Sequence, residues 1–160
     1  MVGARPSDRG SSTRPGRPGA LCFLLLPVFV VLVACSGSGA PEGPPPTPVS
    51  PANGVLTVRA FEMGYEPSVI ALPQDEEVRI ELENDGVILH SFKVDNLDAD
   101  VIESRSSGPL SGKEGQLFVG ADAGGDGTLV FVPRASGTFA FYCTLEGHRQ
   151  FGMEGTLIVQ

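Results

Sequence analysis

The sequence predicts an all-β domain, a sandwich or barrel of short strands, and three observations carry that prediction. Glu77–Glu83 alternates strictly, so Val78, Ile80 and Leu82 point to one face. Short runs rich in β-branched and aromatic residues recur, separated by turn signals such as Asn84-Asp85-Gly86. Within residues 54–160 no window of 12 or more residues has a helical period.

The elements follow in order. Val55–Phe61 is β-branched-rich with partial alternation, and Glu77–Glu83 is the second strand. After the turn at 84–86, Val87–Val94 reads as a third. Thr128–Val132, Thr138–Tyr142 and Gly155–Val159 complete the set, with Pro67, Pro73 and Pro133 at run ends, where strands tolerate them. Residues 104–127 are rich in Gly and Ser and read as a long loop with one short strand around Leu117-Phe118-Val119. Phe92, Phe131, Phe139 and Phe141 are the expected aromatic core.

These elements occupy only part of the 160 residues. Residues 1–34 read as a targeting segment. Arg5, Arg9, Arg14 and Arg17 precede an apolar run of 15 residues, Ala20–Ala34. As a helix that run spans about 22 Å, short of the roughly 30 Å hydrocarbon core. Its end, Leu32-Val33-Ala34-Cys35, resembles the bacterial lipobox. That resemblance implies cleavage before Cys35, lipidation of Cys35, and a domain anchored outside the cell membrane, on its periplasmic or extracellular side. Two acyl chains suffice for stable anchoring. Residues 35–53 are the expected tether. Their prolines and small polar residues cannot bury enough apolar surface to fold alone and favour extended conformations. The domain itself is expected over 54–160.

The formal net charge of the whole chain is -8. Residues 1–34 contribute four Arg and one Asp, a net +3, so their removal leaves -11. Such a balance argues against nucleic-acid binding, which needs a basic stripe to displace phosphate counterions.

The soft ligands are few and clustered. After Cys22 and Cys35 are set aside, Cys143 is the domain's only cysteine, and His90 and His148 are its only histidines. Cys143, His148 and Met153 follow Cys-x4-His-x4-Met, with His90 lying 53 residues before Cys143. One thiolate, two imidazoles and a thioether form the His2Cys set with a weak axial Met that suits type 1 copper. Thiolate holds Cu(I) well and imidazole serves both oxidation states, so electron transfer needs little rearrangement. Met63 lacks this loop context and is not expected to be a ligand. Ser91 and Thr144, each next to a ligand, are candidates to brace the two ligand segments, and Asn84 to cap the turn or brace the site. Phe151 is expected on an apolar rim beside His148.

The stretch from Phe139 through Cys143, Gly147-His148 and Gly152-Met153 to Val159 resembles the C-terminal signature of the cupredoxins, the small blue copper proteins. Asn84-Asp85-Gly86 with His90-Ser91-Phe92 resembles their first-ligand motif, and Phe131–Phe139 the approach to the Cys strand. The loop length is most similar to auracyanin-like members. The resemblance implies a Greek-key β-sandwich, one copper ion and single-electron transfer without catalysis. It implies redox partners such as cytochromes or an oxidase or reductase complex, which the acidic surface would steer through a basic docking face. A copper carrier or sequestering protein with the same ligands is the alternative. A copper enzyme would need further His-rich sites, and both histidines are already used. A binuclear oxidase site would need a second Cys where Gly147 stands.

Overall fold

The computed structural model describes residues 44–160. The targeting segment, Cys35 and the first part of the tether lie outside the described residues. The described chain forms ten strands and no α-helix. They are β1 (Val55–Phe61), β2 (Gly64–Glu66), β3 (Val69–Leu72), β4 (Val78–Asn84) and β5 (His90–Val94), then β6 (Ala99–Arg105), β7 (Phe118–Ala121), β8 (Asp126–Pro133), β9 (Gly137–Tyr142) and β10 (Glu154–Val159). Two five-stranded sheets result, ordered β2-β1-β4-β8-β6 and β3-β10-β9-β5-β7. This is the expected sandwich.

Strand alternation makes the core. β1 buries Leu56, Val58 and Ala60 and exposes the residues between them. β4 buries Val78, Ile80 and Leu82, the face its sequence assigned inward. Phe92, Phe131 and Phe141 are fully enclosed, while Phe139 is partly buried against the same cluster. Phe92 and Phe141 stack with centroids 4.8 Å apart, and Tyr65 meets Phe141 edge-on at 5.1 Å. Such offset and T-shaped pairs add to simple area burial.

The structure differs from the sequence expectation in several places, and the short strands β2 and β3 are among the elements unassigned in the sequence. The third strand begins at His90 rather than Val87. The Asn84 amide captures the Ile88 carbonyl at 2.8 Å, so a side chain takes the place of a ladder partner. Ala99–Arg105, unassigned in the sequence, is the edge strand of the first sheet. The chain also engages the sandwich before Gly54. Val49 N–H donates to the Val69 carbonyl at 3.0 Å, and its carbonyl accepts from Ala71 N–H at 2.9 Å. These two bonds prolong the edge of the second sheet beyond β3.

Gly155 lies opposite Phe141 in the β9–β10 ladder. A Cβ there would stand 2.2 Å from the Phe141 ring and 2.6 Å from the Ser68 carbonyl oxygen. Neither neighbour can move without disturbing the core. Gly155→Ala should therefore destabilise the fold by about 1–3 kcal/mol, read as a lower denaturation midpoint with an unchanged slope.

Candidate metal centre

The second sheet places the four sequence-predicted ligands. Tyr142 ends β9 and faces Glu154, the first residue of β10. The connecting segment 143–153 therefore leaves and returns at one point, and Cys143 N–H donates to the Met153 carbonyl at 3.2 Å. Inside the loop His148 N–H donates to the Leu145 carbonyl at 3.1 Å, and Met153 N–H to the His148 carbonyl at 2.9 Å. Gly147 has φ +83, in the left-handed region that glycine occupies without strain. The turn this allows folds His148 back over the loop.

His90 arrives from the neighbouring strand. β5 pairs antiparallel with β9 through Lys93 opposite Tyr142 and Val94 opposite Phe141. Continuing that register brings Ser91 opposite Thr144 and His90 beside the loop.

The donor atoms of His90, Cys143 and His148 all lie within 4.8 Å of one another. Cys143 Sγ is 4.0 Å from His90 Nδ1, and Met153 Sδ is 3.4 Å from His148 Nδ1. First-row metals bond nitrogen and sulfur at roughly 2.0–2.3 Å, so these separations suit donors around one ion. His90 and Met153 are fully buried, Cys143 is 1% exposed and His148 7%. The two imidazoles are 5.3 Å apart by ring centroid. Burial first, and then His148, lower the His90 pKa, which favours the neutral ring that binds metal.

The expected bracing residues occupy the expected places. Ser91 Oγ accepts from Thr144 N–H at 2.9 Å and shares a hydrogen bond with Thr144 Oγ1 at 2.9 Å. It lies 3.8 Å from Cys143 Sγ. Ser91 thus ties the His90 strand to the Cys143 loop. Asn84 is buried, and its amide donates to the carbonyls of Ile88 (2.8 Å), Ala121 (3.1 Å) and Asp122 (2.9 Å). Its Oδ1 accepts from Gly86 N–H at 2.9 Å. Asn84 therefore fixes the turn into His90 and joins it to the end of β7.

Three supports were not picked out in the sequence. Tyr65 lies beneath the site and donates its hydroxyl to the Ser91 carbonyl; burial pushes its pKa well above the usual phenol value. The Arg149 guanidinium sits 4.0 Å over the Tyr142 ring and bonds Glu154 at 3.1 Å, clamping the loop's mouth from outside. Glu62, between β1 and β2, accepts from Val87 N–H at 2.6 Å, and that bond holds its carboxyl below the usual range. An Arg directly after a ligand His was visible in the sequence. Nothing local marks Tyr65 or Glu62, because strand pairing brings them to the site from 25 or more residues away.

The rim is apolar. Phe151 is 74% exposed, with its ring against Gly147, and Val87, which leads into His90, is 82% exposed.

The sequence pattern of the multicopper oxidase family matches residues 43–160. The chain belongs to that family. Its domain is a cupredoxin, with a fold shared by auracyanin from Roseiflexus castenholzii. That structure has a TM-score of 0.53 and 18% identity, over 69% of this chain and 99% of that one. Auracyanin B matches with a TM-score of 0.51 and 23% identity, over 71% and 91% of the two chains. The McoA multicopper oxidase from Aquifex aeolicus matches at 0.52 and 14% identity, over 71% of this chain but 32% of the oxidase. The copper-resistant cuproprotein CopI from Rubrivivax gelatinosus is 29% identical over 124 residues, 75% of this chain and 74% of CopI. The cupredoxin's metal is copper, and His90, Cys143 and His148 form the site that can hold one ion.

If Ser91 ties the two ligand segments, Ser91→Ala should weaken Cu(II) binding by about 10-fold in a chelator competition, with a much smaller effect on the metal-free protein's melting. Unchanged affinity would show the tie to be dispensable.

Proposed function

We propose that this cupredoxin carries single electrons, with Met153 as the weak axial ligand of a type 1 copper site. The observation that carries this reading is the buried donor set: one thiolate, two imidazoles and one thioether on a loop closed by backbone hydrogen bonds. Bound copper would supply a Cu(I)/Cu(II) couple. The chain's part is to hold donors acceptable to both states and to exclude water from them. His148 is the ligand nearest the surface, and the apolar side chains of Phe151 and Val87 flank the ligand segments. A partner seated on that rim would approach the imidazole edge of His148. The acidic charge favours partners with a basic docking face, and the encounter should slow as salt rises.

Catalysis is not part of this reading. Both histidines of the sequence stand in one cluster, and a multicopper oxidase needs further copper sites. A second reading, copper carriage or sequestration, draws on the relationship to CopI, whose name records copper resistance. The enclosure of all four donors favours retention of the ion over its delivery. Lipidation at Cys35, with the domain held on the outer face of the membrane by the Pro-rich tether, completes the proposal.

The test is spectroscopy with potentiometry. The Cu(II) protein should show an intense thiolate-to-copper band in the visible, bleached by reductant and restored by oxidant over many cycles. A colourless complex, or copper lost on each reduction, would favour the carrier reading. Met153→Gln should keep the copper and the colour but lower the reduction potential; an unchanged potential would remove Met153 from the axial position. Cys35→Ser should release the protein from membrane fractions, and retention there would contradict the lipid anchor.

A further inference from the structure

One atom of the copper site has no partner in the described fold. His90 Nε2 is enclosed and makes no hydrogen bond. It is the ring nitrogen opposite Nδ1, which faces Cys143 Sγ at 4.0 Å. A neutral imidazole that holds a metal through one nitrogen carries its proton on the other. Copper at Nδ1 therefore leaves a buried N–H at Nε2, and a buried donor left unpaired is costly.

Glu62 stands beside that atom. The tight turn between β1 and β2, with Met63 at φ +63, carries it to the segment leading into His90. Its Oε1 accepts from Val87 N–H at 2.6 Å. The same oxygen also reaches the surroundings of Gly86. A Cβ on Gly86 would lie 2.8 Å from Glu62 Oε1, 2.8 Å from His90 Nε2 and 3.1 Å from Asn84 Oδ1. Two atoms that each lie 2.8 Å from one point are within the span of a single bridging water. Asn84 Oδ1 already accepts from Gly86 N–H, and of the two oxygens only that of Glu62 carries a charge. Gly86 is buried, and these polar atoms close in on its backbone where any side chain would stand.

We propose that Glu62 is the acceptor for His90 Nε2–H, directly or through one water, and is a positioning residue of the copper site. A carboxylate behind a ligating imidazole fixes the ring's orientation and tautomer and makes it a stronger donor. It also favours the more highly charged metal state, so Glu62 biases the site toward Cu(II). The inference rests on His90 being a copper ligand and not on the protein carrying electrons.

The experiment is nitrogen-15 NMR of the full chain in the diamagnetic Cu(I) state, following His90 Nε2–H, with Cu(I) and Cu(II) affinities measured in parallel. The wild-type proton should be shifted downfield and exchange slowly. Glu62→Gln, which keeps an oxygen for Val87 N–H but loses the charge, should move the resonance upfield and lower Cu(II) affinity relative to Cu(I) by about tenfold. Glu62→Ala should accelerate exchange as well. If Glu62→Ala does not fold, Glu62→Gln alone decides. A resonance and an affinity ratio that both variants leave in place would overturn the proposal while His90 stays a ligand. His90 signals that ignore copper altogether would overturn the ligand assignment, and this inference with it.

Discussion

Because Tyr142 and Glu154 stand opposite each other at the mouth of the β9–β10 hairpin, the chain that leaves at Cys143 must return at Met153. The bond from Cys143 N–H to the Met153 carbonyl seals that closure. Cys143 and Met153 are thus fixed by sheet pairing. His148 hangs between them on a loop whose own backbone bonds leave it little freedom. The core then anchors the hairpin. Phe141, one residue before the Cys143 strand ends, is stacked on Phe92 and packed against Tyr65 and Gly155. Displacing the copper loop would require opening the sandwich, so the site inherits the rigidity of the domain.

His90 depends on a different constraint. His90 opens β5 and is held by pairing on both sides, with β9 through Lys93 and Val94 and with β7 through Ala121. Its approach is set by side chains. Asn84 grips the turn from within, Glu62 from outside, and Ser91 links the strand to Thr144. A copper centre must hold soft and borderline donors at compatible distances in two oxidation states. Here much of that holding is done by hydrogen bonds in partly buried surroundings, where an unmade bond is costly.

The ligands were legible in the sequence because they are scarce. With one cysteine and two histidines in the domain, few other chemistries fit the spacing. β1 and β4 were legible because one face of each is buried and the other wet. β6 was not, since an edge strand with Ile102 turned outward gives no clean alternation. Val87–Leu89 looked like strand because its residues favour one, and only the reach of Asn84 across the turn shows why it is a loop. Ser91 and Thr144 could be suspected from their neighbours. Tyr65 and Glu62 could not, because their roles arise from strand pairing over long separations.

The same fold is found in auracyanin and in about one third of a multicopper oxidase. In this chain the candidate donors are enclosed, and Phe151 and Val87 are exposed apolar side chains on the ligand segments. We propose that the protein presents one preformed donor set that serves both oxidation states of copper. X-ray absorption at the copper edge, recorded on the oxidised and reduced protein, tests it most directly. One sulfur and two nitrogens at short range in both states, with little change between them, is the predicted result. Loss of the sulfur, or a new oxygen ligand on oxidation, would contradict it.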